Sequence, residues 1–342
     1  MLKKLLKILV TGGAGYVGTV LIPELINDGH SIKCLDRFFF GDEYLAQNQF
    51  KNKLELIKDD IRWFKPEILN DVDVVIDLAA LSNDPVGELE PKKTYEINYL
   101  GRVRVAKLSK DFGVKQYILA STASVYGQQT KIVDETFEVN PITAYAKATI
   151  RAEIDILPLN EDKFSVTSLR FSSIYGLSPR MRFDVAVNSM ILKLFKTKKI
   201  TIGGRTNKRP FIHIKDATRA YQLMINSSKD KIAGEIFNVG SDQQNYEMET
   251  LGKEIGNSIG EKYEFEFDDT PDHRSYFASF KKIHELGFNT KFNVRDGTRE
   301  IYQALKKGTV FDSEKTITVK WYKHLLESVS AQKKYGLNGK IL

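Results

Sequence analysis

The sequence predicts an α/β fold in which a doubly wound parallel sheet is followed by a smaller α/β lobe. Through the first half of the 342-residue chain, short apolar segments alternate with amphipathic ones, which is typical of a parallel sheet with helices on both faces. The apolar segments are nearly continuous, as strands buried on both faces are. The predicted strands cover residues 7–10, 31–35, 54–57, 72–78, 116–120 and 165–171.

The pattern changes after residue 170, where glycine and proline become frequent and the connections become long and polar. We therefore predict a first domain over residues 1–170 and a second lobe that makes up most of 171–342. Residues 235–240 look like one more strand, which either returns to the first domain or begins the second lobe. Return segments to the first domain are expected near residues 210–240.

Composition limits the classes of partner. The net charge of +7 suits nucleic acid, an anionic membrane or an anionic small molecule. The densest basic segment, residues 193–209, lacks the interleaved aromatic residues and heptads of common nucleic-acid modules, so no nucleic-acid partner is predicted. No apolar stretch reaches the roughly 18 residues that a membrane span needs, so no membrane partner is predicted. The five histidines show no metal-ligand spacing, and no metal is predicted.

The single cysteine, Cys34, excludes an intrachain disulfide and favours a reducing compartment, so we expect a cytoplasmic protein. Residues 1–10 are similar to a signal peptide in length. Lysines interrupt their apolar run, however, and a glycine turn follows at once, so we interpret them as the first strand.

A glycine-rich turn follows the first predicted strand and leads into an amphipathic helix. Gly13, Gly15 and Gly18 have the dinucleotide-binding spacing, in which the backbone can approach a pyrophosphate at the helix N-terminus. Alone, such a triplet is as typical of a simple tight turn. Asp36 directly follows the second predicted strand, where its carboxylate suits the ribose hydroxyls of NAD. Arg37 could instead meet the 2′-phosphate of NADP, but Asp36 would repel that phosphate.

From residue 7 to about 290, the chain resembles the extended short-chain dehydrogenases/reductases, the NAD-dependent epimerase/dehydratase group that acts on nucleotide sugars. The resemblance implies a Rossmann-type domain that binds NAD and a second lobe that binds a nucleotide-diphosphate sugar. Without it, Asp60 would be read as a surface acid and Asn98 as a polar helix residue. The cofactor-binding residues that it implies are Gly12, Gly15, Tyr16, Val17, Gly18, Asp36, Arg37, Asp60, Ile61, Leu78, Ala79, Ala80 and Asn98.

Two further segments resemble the catalytic motifs of this family. Residues 121–127 are similar to its Ser-Ser/Thr-x-x-Val-Tyr-Gly motif, which implies that the Thr122 hydroxyl contacts the reacting sugar oxygen. Residues 141–153 are similar to its Tyr-x-x-x-Lys helix, which implies that Tyr145 is the acid/base. Position 149, where the family has lysine, is Thr149. Lys147 lies two positions from Tyr145, and we expect it to face away on the helix.

Thr149 offers a hydroxyl to the cofactor ribose but no positive charge to stabilise a phenolate. Either another group activates Tyr145, or the reaction is slow, or the residue was substituted to trap a complex. If the missing charge limits the rate, a lysine at position 149 should raise turnover at neutral pH and move the pH optimum downward. The alternative function is a protein of the same fold that binds NAD and a nucleotide sugar with impaired turnover.

The reaction type follows from the loop after the fifth strand. Ala123 and Ser124 stand where the family's 4,6-dehydratases carry an acidic pair, so we expect no dehydration. Epimerisation or reduction of a keto sugar remains. The family likeness implies that Arg209 and Arg274 grip the substrate diphosphate, and that the protein is a homodimer. The substrate-binding residues implied are Ser124, Ser173, Arg180, Arg182, Asn188, Arg209 and Arg274.

Overall fold

A computed structural model of the protein describes residues 5–268 and 274–342. Within these ranges the strands form a large sheet and three small ones. The strands are β1 Lys7–Thr11, β2 Ser31–Asp36, β3 Leu54–Lys58, β4 Val74–Asp77, β5 Gln116–Thr122, β6 Gln128–Val133, β7 Ser165–Phe171, β8 Ser173–Tyr175, β9 Lys199–Gly203, β10 Lys208–His213, β11 Glu235–Val239, β12 Asn245–Glu247, β13 Glu264–Asp268 and β14 Ser275–Ala278. The large sheet has the order β11–β7–β5–β4–β1–β2–β3 with all neighbours parallel.

Helices connect these strands. The α-helices are α1 Gly18–Asn27, α2 Asp84–Gly87, α3 Pro91–Tyr95, α4 Arg102–Asp111, α5 Ala144–Ile156, α6 Ala186–Thr197, α7 Ile214–Asn226, α8 Lys229–Ile232, α9 Met248–Ile259, α10 Lys281–Glu285, α11 Val294–Lys306, α12 Thr318–Glu327 and α13 Val329–Tyr335. A π-helical turn, Glu96–Gly101, joins α3 to α4. The 3₁₀ turns are Asn48–Phe50, Pro66–Leu69, Ala123–Tyr126, Leu157–Leu159, Asp242–Gln244 and Glu314–Thr316. In the described part of the chain, none of the helices is long and apolar enough to span a bilayer.

Alternate side chains of the central strands enter different buried clusters. Val10 belongs to the same cluster as Leu25 of α1 and Tyr221 of α7. Leu9, the preceding residue on β1, belongs instead to the cluster of Val105 on α4. Because successive strand side chains point to opposite faces, helices cover both faces of the sheet. This arrangement confirms the predicted doubly wound α/β fold of Rossmann type.

The second lobe has its own buried cluster. Ile191 of α6, Leu251 of α9 and Ile301 of α11 pack there with Ile200 of β9 and Phe211 of β10. The chain leaves this lobe again at β11, which pairs with β7 at the edge of the large sheet. The open choice for residues 235–240 is therefore resolved in favour of the first domain.

The C-terminal helices do not belong to the second lobe. Side chains of α12 and α13 form a cluster with Phe39 and Leu81, which follow β2 and β4 of the large sheet. The indole Nε1 of Trp321 donates to the carbonyl of Phe39 at 2.7 Å. The prediction that residues 171–342 are mainly a substrate lobe stays a prediction. Within that range, apolar packing of Trp321 and Tyr322 holds the C-terminal segment against the first domain.

Candidate active site

A cavity of about 580 Å³ lies where the first domain meets the second lobe. Gly12, Leu78 and Thr122 line it from the carboxyl ends of β1, β4 and β5, and Arg209 lines it from β10. In doubly wound sheets, ligands bind outside the carboxyl ends of the strands, at the point where the strand order reverses. Here that point is between β1 and β4, so the cavity is the candidate active site.

The glycine turn presents bare backbone to this cavity. Gly12 has φ +68° and donates its N–H to the carbonyl of Leu35 at 2.8 Å. A Cβ at Gly12 would lie 2.7 Å from Cα of Ala79, and one at Gly18 would lie 2.3 Å from the carbonyl oxygen of Gly13. At Gly15 a Cβ would meet, among residues 5–268 and 274–342, only the Gly12 carbonyl oxygen, at 3.1 Å. The turn therefore fits a dinucleotide whose pyrophosphate approaches the backbone closely.

Asp36 lies at the end of β2 on the cavity wall. Its carboxylate accepts the N–H of Ala14 at 3.0 Å and the N–H of Phe38 at 2.7 Å. Burial raises its pKa, while these amides and Arg180 act in the opposite direction. The carboxylate is held in the place where NAD-binding folds meet the adenosine ribose.

Arg37 is engaged by protein atoms. Its Nη1 donates to Oδ2 of Asp60 at 2.8 Å, and its Nη2 donates to the carbonyls of Tyr335 and Lys340 at 3.2 and 2.9 Å. Arg62 also pairs with Asp60, at 2.8 Å. These arginines lower the pKa of Asp60 against the effect of its burial. Arg37 thus anchors the C-terminal segment, which argues against the NADP alternative.

Most of the predicted cofactor residues line the cavity, with Asn98 as the exception. Asn98 is fully buried, and its side-chain amide bonds both backbone groups of Leu81, at 2.8 and 3.0 Å. It shapes the loop after β4 instead of facing the cavity. The predicted residues on the wall are Gly12, Gly15, Tyr16, Val17, Gly18, Asp36, Arg37, Asp60, Ile61, Leu78, Ala79 and Ala80.

Thr122 and Tyr145 lie together on the cavity wall. Thr122 is the last residue of β5, and its Oγ1 accepts the N–H of Ser124 at 3.1 Å. Tyr145 lies in the first turn of α5, which Thr143 caps by accepting the N–H of Ala146. Burial raises the pKa of the Tyr145 phenol, and a hydrogen bond with Thr122 acts to lower it.

Thr149 does not reach the cavity. It is fully buried, and its hydroxyl donates to the carbonyl of Tyr145, one helical turn earlier, at 2.8 Å. The prediction of Thr149 as a catalytic residue that meets the cofactor ribose is therefore not supported, because a short β-branched side chain on a helix bonds readily to the preceding turn. Lys147 is exposed, as expected from its helical position.

Strands outside the large sheet bring further polar groups to the cavity. Arg209 is buried with its guanidinium 5.5 Å from the ring centroid of Tyr276, and Tyr276 in turn bonds Ser124. Arg274 forms an ion pair with Asp84 at the N-terminus of α2. Residues 271–273, which precede Arg274 in its motif, lie outside the described residues. The predicted substrate residues on the wall are Ser124, Ser173, Arg180, Arg182, Arg209 and Arg274.

The predicted group Arg180, Arg182 and Asn188 divides in the structure. The Arg180 guanidinium lies 3.5 Å from the ring centroid of Phe40 and influences Asp36, so it belongs to the cofactor end of the cavity. Arg182 makes a bidentate pair with Asp184, at 3.0 and 2.9 Å.

Asn188 does not line the cavity. It is fully buried, its Oδ1 accepts the N–H of Gly176, and its Nδ2 donates to the phenol oxygen of Tyr16 and the carbonyl of Arg182. Satisfaction of its amide by these groups is why it holds the cavity loops in place instead of meeting a ligand.

Sequence reasoning missed several wall residues. Asp84 and Arg102 carry charge into the cavity, and Tyr322 and Leu342 close its cofactor end from the C-terminal segment. Asp84 carries a weak signal, since Asn83-Asp84-Pro85 is a helix-start pattern in the loop that follows the predicted strand 72–78. Arg102 carries another, since it is a charged residue in a helical stripe that also holds Val105.

Comparison with known proteins identifies relatives of this chain. A family model described as "NAD dependent epimerase/dehydratase family" matches residues 8–240. A putative UDP-glucose 4-epimerase of Methanocaldococcus jannaschii is 26% identical over 310 residues, covering 87% of this chain and 98% of that protein. UDP-glucuronic acid decarboxylase 4 of Arabidopsis thaliana is 27% identical over 311 residues, covering 86% of this chain and 67% of that protein.

Solved structures share the fold. A UDP-glucuronic acid 4-epimerase from Bacillus cereus, in complex with UDP-glucuronic acid and NAD, has a TM-score of 0.78 and 24% identity, covering 88% of this chain and 99% of that one. A UDP-N-acetylglucosamine 4-epimerase from Methanobrevibacter ruminantium has a TM-score of 0.80 and 22% identity, covering 89% and 99%. The family match itself spans well over half of this chain. The chain therefore belongs to the NAD-dependent epimerase/dehydratase family of enzymes and its cofactor is NAD, which confirms the family and cofactor predicted from its sequence.

Proposed function

We propose that this protein is a nucleotide-sugar epimerase that inverts a hydroxyl-bearing carbon of the sugar. The observation that carries the proposal is the pair of Thr122 and Tyr145, whose side chains interact on the wall that also contains the glycine turn. A side chain that can transfer a proton and a dinucleotide site in the same cavity suit the reversible oxidation of an alcohol. The names of the relatives, which include UDP-glucose 4-epimerases, support the same reaction class.

Tyr145 is the proton carrier in this proposal. Bound NAD supplies reversible hydride acceptance. The ionised phenol of Tyr145 would take the proton of the sugar hydroxyl when that carbon is oxidised, and would return it to the same oxygen when the carbon is reduced on its other face. Thr122 holds the sugar oxygen beside Tyr145 during both steps.

The charges of the cavity suit an anionic substrate. Of the residues that the structure describes, seven arginines and five aspartates line the cavity. Arg209 on β10 and Arg274 directly before β14 both line the cavity, where guanidinium groups can pair with a substrate diphosphate. We therefore propose a nucleoside-diphosphate sugar as the substrate, with UDP-hexoses as the first to be tested.

Dehydration is not part of the proposal. Ala123 is buried and apolar, and Ser124 offers only a hydroxyl at the positions after Thr122. Asp84 offers a carboxylate on the cavity wall, but this carboxylate is paired with Arg274 and accepts a hydrogen bond from Thr143 at 2.5 Å. A carboxylate engaged in this way is poorly suited to protonate a leaving hydroxyl.

The test is an assay of the purified protein with NAD and a panel of nucleotide hexoses, with products resolved by NMR. We expect interconversion of C4 epimers without net NADH production, and loss of turnover by at least about 10²-fold in Tyr145→Phe. Stoichiometric NADH consumption with a keto sugar would identify a reductase instead. Formation of a 4-keto-6-deoxy sugar would overturn the reading of the loop after β5, and binding of sugars without turnover would favour the impaired protein.

We further propose a homodimer formed by the α3–α4 segment and α5. Tyr95, Leu100 and Ile154 are exposed apolar residues on these helices. Their burial against a second copy would remove apolar surface from water. Light scattering at micromolar concentration should give twice the mass of one chain, and a single-chain mass would refute the dimer.

A further inference from the structure

We propose that Arg102, from the helix next to that of Tyr145, provides the positive charge that stabilises the ionised Tyr145 phenol. The inference rests on the proposed role of Tyr145 as the proton carrier. It assigns to α4 a charge that the family resemblance places at position 149 of α5, where this chain has threonine.

Arg102 is an unusual residue for its position. It is 1% exposed and follows directly on the π-helical turn Glu96–Gly101. The buried positions of this segment are Asn98, Gly101, Arg102, Val105, Ala106 and Ser109. Apart from Arg102, this inward stripe holds only small, apolar or neutral side chains. A buried arginine in such a stripe needs specific partners, since desolvation of an unpaired charge is costly.

Those partners hold the guanidinium at the carboxyl ends of β4 and β5. Nε donates to Oδ2 of Asp77 at 3.0 Å, and Nη2 donates to the carbonyls of Asp77 and Ala120 at 2.9 and 2.6 Å. For Nη1 no hydrogen-bond partner is found among residues 5–268 and 274–342. Arg102 lines the cavity together with Tyr145 and Thr122. The side chain is therefore fixed in place with donor capacity left over.

Asp77 does not cancel this charge on the cavity side. It is completely buried and does not line the cavity. Its carboxylate is shared with the hydroxyls of Thr11 and Tyr117, each at 2.5 Å, as well as with Arg102. The negative end of the pair thus lies behind the wall, and the guanidinium is the member at the surface of the cavity.

The groups that act on Tyr145 come from several elements. Burial raises the pKa of its phenol, the Thr122 hydrogen bond lowers it, Asp84 raises it, and Arg102 and Arg182 lower it. Asp84 is paired with Arg274, and Arg182 is paired with Asp184, which also lines the cavity. Of the two arginines that act on Tyr145, Arg102 is the one whose counterion lies outside the cavity.

The surroundings of Arg102 are consistent with a permanently charged group. Although burial acts to lower its pKa, Asp77, Tyr117 and Tyr145 raise it, and the net direction is upward. Tyr221 also lies within the electrostatic reach of Arg102. A guanidinium that stays protonated can stabilise a phenolate throughout the working pH range.

The experiment compares Arg102→Gln, Arg102→Lys, Thr149→Lys and the double variant Arg102→Gln/Thr149→Lys, each as the NAD-bound protein. Arg104→Gln is the matched control, because it removes an arginine of the same helix that does not line the cavity. The readouts are the pH–rate profile, the NAD dissociation constant and the absorbance change on tyrosinate formation, taken against Tyr145→Phe.

We expect Arg102→Gln to lower neutral-pH turnover about 10-fold or more and to move the rising limb of the profile upward by at least about one pH unit. The sign follows because loss of a nearby cation makes the phenol harder to ionise. Arg102→Lys should keep most of the profile. With Arg102 present, Thr149→Lys should be no faster than the unaltered protein, in contrast to the higher turnover expected from the sequence alone. In the Arg102→Gln background, Thr149→Lys should return the rising limb of the pH–rate profile to its position in the unaltered protein.

An unchanged profile in Arg102→Gln, with Tyr145→Phe inactive, would overturn the role of Arg102 and leave the proposed function intact. Turnover that survives in Tyr145→Phe would overturn the proposed function itself. If Arg102→Gln fails to fold, Thr149→Lys alone decides, because a faster enzyme with a downward-shifted profile would show that the charge was missing.

Discussion

The two ends of the cavity are built in different ways. At the adenosine end, the glycine turn and Asp36 come from the consecutive elements β1, α1 and β2. At the other end, Asp84, Arg102, Thr122 and Tyr145 come from α2, α4, β5 and α5.

Local sequence motifs are sufficient to predict a site at only one of these two ends. When neighbouring elements form a site, residue spacing determines its geometry, as in the turn that ends at Gly18. When distant elements form it, a charge can be supplied by any helix that reaches the same point. The departure at Thr149 is then no evidence of lost function, because Arg102 reaches the cavity from another helix. Substitutions at the two ends should therefore change different quantities, turnover at one end and cofactor affinity at the other.

Of the substitutions that compare the two ends, Thr122→Ala is expected to have the largest effect. Thr122→Ala removes the hydrogen bond to Tyr145 and leaves the N–H of Ser124 without its acceptor. Turnover should fall about 10–100-fold, in line with the roughly 1.5–3 kcal/mol of a hydrogen bond to a charged group. Because the lost bond acts to lower the pKa of Tyr145, the rising limb of the pH–rate profile should move to higher pH. Thr122→Ser should stay within a few-fold, and equal rates for both variants would contradict the role.

A smaller effect is expected at Asp36, on the affinity for NAD and not on turnover at saturating NAD. Asp36→Ala should raise the NAD dissociation constant by about 10-fold, since it removes a charged hydrogen-bond acceptor from the ribose site. Once NAD is saturating, turnover should return to that of the unaltered protein. Calorimetric titration with NAD and NADP measures this. Asp36→Asn, which keeps the size but loses the charge, should narrow the preference for NAD over NADP, and stronger binding of NADP by the unaltered protein would refute the assignment.

The sequence predicted the sheet well because apolar periodicity is a local property. The predicted strand at 165–171 coincides with β7, while β2 and β3 extend one residue further, to Asp36 and Lys58. These polar strand ends fall outside a criterion based on apolar content. The prediction at 72–78 overshoots β4, Val74–Asp77, because Val72 and Leu78 are apolar without belonging to the ladder. Burial alone does not distinguish a strand from the loop that continues it.

The site was predicted in part. Asn98 and Asn188 stand at the motif positions, yet both act through backbone contacts that no motif reveals. Arg180 was predicted to bind the substrate, which stays a prediction, and its guanidinium is held on the cavity wall by Phe40 and Thr318. The C-terminal wall was missed because it depends on contacts between residues about three hundred positions apart, such as Arg37 with Lys340. Such long-range packing leaves no local pattern in the sequence.

The smallest effect is expected where this C-terminal wall meets the adenosine end. Arg37→Gln removes the contacts to Asp60, Tyr335 and Lys340. Asp60 keeps its pairing with Arg62, at 2.9 and 2.8 Å, so no buried carboxylate is left alone. We therefore expect a loss of stability of about 1–3 kcal/mol, the cost of leaving buried carbonyls without a donor.

NAD should bind only a few-fold more weakly in Arg37→Gln. The C-terminal segment lines the adenosine end of the cavity, but it does not form the glycine turn that approaches the pyrophosphate. Lys58→Gln is the matched control, since the exposed Lys58 also contacts the C-terminal segment, at the carbonyl of Lys334. Thermal unfolding with and without NAD separates the two effects. A large loss of NADP affinity in Arg37→Gln, with NAD affinity unchanged, would show that Arg37 serves a 2′-phosphate after all. The choice between NAD and NADP at the adenosine end would then depend on Arg37, just as stabilisation of the Tyr145 phenolate at the opposite end is proposed to depend on Arg102.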